Sequence, residues 1–248
     1  MSVKLEVCVD SPEGLRAAIA GAADRIELCS ALDVGGLTPS PGLMTLAAKA
    51  PIPVYAMIRP RAGSFYFSAE EEAAMIADID AVQSAALAGV VIGASLPDGN
   101  LDLGLLRRLI AHAHGLGTTL HRVFDLAPDP EKALQEAIEL GFERILTSGQ
   151  ANTALEGLAV LKNLSRQAQG RISIMPGSGV TAGNAAQIAR ETSASEVHAS
   201  CRETIEATDE RSIAFGFSAT ETKITSATRV REIKQKLGGL TESTASQV

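Results

Sequence analysis

The chain has 248 residues, 46% of them hydrophobic and 21% charged, with a formal net charge of −7. A chain of this length buries roughly 70–75% of its unfolded surface and needs no disulfide to fold. A pI near 5.2 and scattered Lys and Arg exclude nucleic-acid and anionic-membrane partners, which require clustered cations. No apolar run reaches the roughly 18 residues of a membrane span, so a soluble protein is expected. The three cysteines, at 8, 29 and 201, form no Cys-x-x-Cys pair, and no signal-peptide core opens the chain. Reduced thiols in a cytoplasmic protein are expected.

The chain reads as a repeated strand–helix step. The first strand, Leu5–Asp10, alternates apolar and polar residues; Ser11 caps the helix that Pro12 opens. A second alternating strand, Arg25–Cys29, is followed by a turn at 32–36 and a helix from Ser40-Pro41. Val54–Ile58 is the third strand, and the long helix from Ser68 to about Ala88 carries Glu70, Glu71 and Glu72 in its first turn, where the helix dipole favours them. Val90–Gly93 has the wholly apolar composition of a strand buried on both faces. Strands at Thr118–His121, Arg144–Thr147, Arg171–Met175 and Glu196–His198 then alternate with helices at Asp102–His114, Asp129–Leu140, Ala154–Gln167 and Thr181–Glu191. Eight strands in about 250 residues predict a (β/α)8 TIM-type barrel, an α/β fold. A single domain is expected over 1–237, with residues 201–225 irregular, a last helix at Ala227–Leu237 and a flexible tail at 238–248.

Barrel active sites lie at the C-terminal ends of the strands, and the polar residues there are dense. On alternating strands Glu6, Cys8 and Asp10 share one face, as do Arg25, Glu27 and Cys29. The other strand ends supply Arg59 and Arg61, His121, Arg122 and Asp125, Thr147 and Ser148, Ser178 and His198. Buried charges need partners, so pairs such as Glu6–Arg25 or Glu27–Arg59 can serve register alone; charges on this many strands predict a ligand site. Its acid–base groups would be Glu6, Glu27, His121 and Asp125. Arg25, Arg59, Arg61, Arg122, Ser148 and His198 would hold an anion with the turn Gly177-Ser178-Gly179, which has the composition of a backbone anion-binding loop. His121 is equally open to a core role held by Asp125. Cys8 and Cys29 suit a monovalent copper ion through thiolate ligation, but read from the residues alone a buried apolar role is the commoner one for free cysteines.

The stretches LEVCVDS, GADRIELCSAL with GGLTPS, MIRPR, HRVFD, ILTSGQ, IMPGSGV and HAS together resemble the copper homeostasis protein CutC family across residues 4–202. The resemblance implies a cytoplasmic barrel, a homodimer or higher homo-oligomer, linked to copper tolerance and binding monovalent copper. It places the copper ligands at Cys8 and Cys29. This sequence departs from the family at Cys201 and in the loop 203–223. Because two thiols do not explain the charges around them, the alternative expectation is a barrel enzyme working on a small anionic, phosphate- or carboxylate-bearing substrate.

Overall fold

A computed structural model describes residues 3–245. The chain order is β1 (Lys4–Val9), α1 (Pro12–Ala20), β2 (Arg25–Leu28), α2 (Pro41–Ala47), β3 (Val54–Met57), α3 (Ala69–Ser84), β4 (Gly89–Ile92), α4 (Leu103–His112), β5 (Gly117–Leu120), α5 (Pro130–Leu140), β6 (Arg144–Thr147), α6 (Leu158–Ala168), β7 (Ser173–Pro176), α7 (Ala185–Thr192) and β8 (Glu196–Ala199). These eight strands form one sheet in the order β7-β6-β5-β4-β3-β2-β1-β8, with parallel ladders throughout. It curls until β7 and β8 are neighbours, a nearly closed barrel in a single α/β domain. The expected architecture is the observed one.

Local chemistry starts the helices where the sequence marks them. The Ser11 hydroxyl accepts from Gly14 N–H at 3.0 Å with Pro12 in the first turn, and Ser68 and Glu71 form a reciprocal capping box at the start of α3. The outward face of the strands, with Leu5, Val7, Ile26 and Leu28 fully buried, packs under the helices in the main apolar core.

The inward face is polar at its lower end. Glu6 stands opposite Arg25 in the β1–β2 ladder, and the Arg25 guanidinium pairs with Glu6 and, at 2.6 Å, with Glu196. Arg144 reaches Glu196 at 3.3 Å and Thr119 Oγ1 at 3.0 Å, and the Tyr55 ring lies beside both arginines. Each charge of this lower network therefore has an opposite charge, which offsets its desolvation.

Residues 201–225, expected to be irregular, instead form an antiparallel hairpin, β9 (Arg202–Glu206) with β10 (Glu221–Thr225), around a short helix α8 (Glu210–Ala214). Apolar periodicity does not reveal it because most of its side chains are exposed, including Phe215 and Phe217. The last helix, α9 (Ala227–Ala245), runs past the expected end at Leu237; residues 246–248 of the expected tail lie outside the described residues. No described helix is long and apolar enough to cross a membrane.

Candidate functional site

A cavity of about 1000 Å3 opens at the C-terminal end of the barrel, with Cys8, Glu27, Arg59, His121 and His198 in its wall. Strand register brings three of these together. Cys8 is the ladder partner of Glu27, and His198 follows Val197 on β8, one register step from Leu5 and level with Glu6. One ligand atom each from Cys8, Glu27 and His198 lies within 4.8 Å of the other two, and all three residues are buried. His198 Nδ1 is 2.8 Å from Glu6 Oε1, and its Nε2 is 3.7 Å from Glu27 Oε2.

Opposing effects set the charges. Burial raises the Glu6 pKa, but Arg25 and His198 overrule it and hold this carboxyl well below the ordinary range. At Glu27 burial prevails, with Glu6 nearby acting in the same direction, so its pKa is raised despite His198. Burial lowers His198, but the Cys8 sulfur and the Glu27 carboxylate hold it well above an ordinary histidine. His121 has no such compensation: burial, then the charge of Arg59, push it down to about 3. Glu27 Oε1, Arg59 Nε and His121 Nε2 are buried, with no hydrogen-bond partner among the described residues.

Other residues expected at the site do different work. Cys29 is fully buried beside Tyr55, Met57 and Val91 and does not join the three-ligand group; burial and the Glu27 charge push its thiol up. Arg25 belongs to the lower ion network described above. Arg61 pairs with Glu71 at the start of α3, and neither it nor Ser148 borders the cavity. Asp125 does not hold His121. It accepts from Thr147 Oγ1 at 2.5 Å and from the Ser148 backbone, and Arg122 pairs with it at 2.8 Å and reaches Ser148 Oγ at 2.8 Å. His121 Nδ1 accepts from Val123 N–H at 3.1 Å. Arg59 is held by carbonyls and not by Glu27, donating to Val34, Gly36 and Gly63 at 2.9, 3.1 and 3.0 Å.

In the turn after β7, Gly177 is needed for space, since a Cβ there would strike Leu146 and approach His198. Ser178 and Gly179 take positive φ of 77° and 69° and border the cavity, but the Ser178 hydroxyl donates to Asn152 O at 2.7 Å. Cys201 is also in the wall, and burial pushes its thiol up to about 12.

Two contributors were not marked by the sequence. Phe65 contacts both Arg59 and His121, its ring 4.6 Å from the guanidinium carbon and 5.0 Å from the imidazole centre. Gly93 leaves room for the His121 ring, which a Cβ would strike. Neither carries a titratable group, so a search for chemistry-bearing residues passes over them.

The family model described as the CutC family matches residues 3–203. A family protein CutC of Sinorhizobium medicae is 55% identical over 238 residues, covering 96% of this chain and 97% of its own. One from Caulobacter vibrioides is 55% identical over 240 residues, covering 96% and 98%. Among solved structures, a CutC from Streptococcus agalactiae described as a copper homeostasis protein superposes with a TM-score of 0.77 at 33% identity, covering 81% of this chain and 99% of that one. A phosphoribosylanthranilate isomerase from Thermotoga maritima, at 12% identity and a TM-score of 0.59, shares the fold alone. The family model ends at residue 203, so almost the whole hairpin lies beyond it.

Proposed function

The chain belongs to the CutC family, and from that premise we propose that it acts in copper homeostasis by holding a monovalent copper ion as cargo at Cys8, His198 and Glu27. The observation that carries this reading is the grouping of one sulfur, one imidazole nitrogen and one carboxylate oxygen within 4.8 Å in a buried wall of the cavity. Thiolate and imidazole are donors that suit copper, and the thiolate selects the cuprous form. The contact from Glu6 to Nδ1 leaves Nε2 as the His198 ligand atom, the arrangement in which a carboxylate orients a metal-binding imidazole. Glu27, with one oxygen unpartnered, is the third donor. This reading replaces the expected Cys8–Cys29 pair with a mixed set, and keeps the protein in the cytoplasm as a homo-oligomer. Its three free, buried cysteines support a reducing compartment.

The test is anaerobic competition for cuprous ion against a colorimetric chelator. Cys8→Ser and His198→Ala should each weaken binding by at least about tenfold, some 1.4 kcal/mol, while Cys29→Ser stays close to wild type. Equal losses for Cys29→Ser and Cys8→Ser would instead assign the ion to the two thiols. Unchanged binding in Cys8→Ser and His198→Ala removes the site.

A further inference from the structure

Four arginines border the cavity, and three of them are matched by carboxylates: Arg122 by Asp125 at 2.8 Å, Arg202 by Asp33 at 2.9 Å and Arg229 by Glu203 at 3.8 Å. Arg59 is the exception among the described residues. Its residue is only 5% exposed, its two terminal nitrogens are spent on backbone carbonyls, and its Nε has no partner. A guanidinium removed from water without an opposite charge is costly, and neutral carbonyls offset only part of that cost.

His121 faces the same need from another strand. Because its Nδ1 accepts from Val123 N–H, the ring proton of the neutral imidazole sits on Nε2. Burial and the charge of Arg59 keep it neutral at physiological pH. Nε2–H is thus a donor fixed in direction, on a residue 3% exposed, with no acceptor among the described residues. Arg59, Gly93 and His121 each lie two residues beyond the ladder-paired Met57, Val91 and Thr119. The central position lacks a side chain, and Phe65 backs both donors.

We propose that the barrel mouth holds a small monoanionic carboxylate between Arg59 Nε and His121 Nε2, each N–H donating to a carboxylate oxygen. One unmatched cationic charge calls for one negative charge, and two separated N–H donors suit a planar group with two acceptor oxygens. The site uses none of the proposed copper ligands. It therefore stands or falls apart from the copper reading.

The test is titration of the purified full chain, without and with cuprous ion, in carboxylate-free buffer with glycolate, acetate and inorganic phosphate as probes. Binding is followed by thermal shift and by long-range 15N–1H correlation of the His121 ring. The expected result is a saturable rise in Tm with the carboxylates, a shift of the His121 Nε2–H resonance, and affinity at least about tenfold weaker in Arg59→Met and His121→Phe. If either variant fails to fold, the His121 resonance of the wild type and the affinity of Arg59→Lys decide the matter. No saturable binding, a His121 resonance that does not move, equal affinity in the variants, or preference for phosphate over both carboxylates each overturns the proposal.

Discussion

Glu6 and His198 are ladder partners across β1 and β8, and Glu6 Oε1 lies 2.8 Å from His198 Nδ1. The same carboxylate also pairs with Arg25 through its other oxygen, so one buried side chain joins the lower ion network to the imidazole in the cavity wall. Glu6→Gln keeps the shape and an acceptor but removes the charge that orients and strengthens the imidazole. Loss of such a partner typically weakens metal binding about 10–100-fold. Chelator competition on Glu6→Gln should show that loss with the Cys8 thiol intact, and affinity within about threefold of wild type would mean that Glu6 serves only the ion network.

Arg25 holds both Glu6 and Glu196 deep in the barrel, its side chain 7% exposed. Arg25→Met retains much of the volume but leaves Glu6 without its guanidinium, and Glu196 with only the 3.3 Å contact to Arg144. Breaking a buried pair from one side costs about 3–5 kcal/mol, because the remaining charge stays desolvated. Urea unfolding near neutral pH should show a loss of that size. A loss under about 1 kcal/mol would indicate that water reaches the network.

The barrel was legible because its signals are local: alternation on the first two strands, caps such as Ser11 and Ser68, and turns at regular intervals. The inward direction of Glu6, Cys8, Glu27 and His198 was equally legible, since a strand's period of two fixes it. What was not legible is height and partnership. Glu6 and Arg25 lie on the same faces as the cavity residues but one layer lower, and only ladder register distinguishes Cys8 opposite Glu27 from Cys8 opposite Cys29. Arg59 is held by carbonyls of loops at 34–36 and 63, and a carbonyl has no sequence signature. The hairpin at 202–225 escaped because exposed strands need no apolar alternation.

Gly93 is a position where the backbone atom count decides the site. A Cβ there would lie under 3.0 Å from the His121 ring and from Val123 Cγ1, so Gly93→Ala must displace the imidazole. The Val123 N–H then loses its acceptor and the tautomer is no longer fixed. Overpacking of this kind costs about 1–3 kcal/mol. The expected outcome is a lower urea midpoint together with a shifted His121 ring resonance. An unchanged resonance would show that the barrel expands at β4 and leaves the imidazole in place.

The His121 imidazole also sets a pH dependence. Its pKa falls from an ordinary 6.5 in the unfolded chain to about 3 in the fold, from burial first and Arg59 second. Between those values the unfolded chain takes up a proton that the native state refuses, so stability is intact above about pH 6.5 and declines as pH falls, by at most about 1.4 kcal/mol per unit. Glu27 acts in the opposite sense: its raised pKa means that the native state retains a proton the unfolded chain has lost, so its contribution is present at low pH and disappears as pH rises. Glu6, with a lowered pKa, acts like His121 but only below the ordinary carboxylate value of 4.5. The wild-type curve between pH 5 and 6.5 is therefore a difference of opposing contributions, and His121 is isolated by comparison with His121→Asn, whose amide oxygen still accepts from Val123 N–H. Urea unfolding of both proteins in carboxylate-free buffer should show the wild type losing roughly 1.6 kcal/mol relative to the variant as pH falls from about 6.5 to 5. Parallel curves would mean that the native fold protonates His121 and that its Nε2–H is not the fixed neutral donor of the cavity wall.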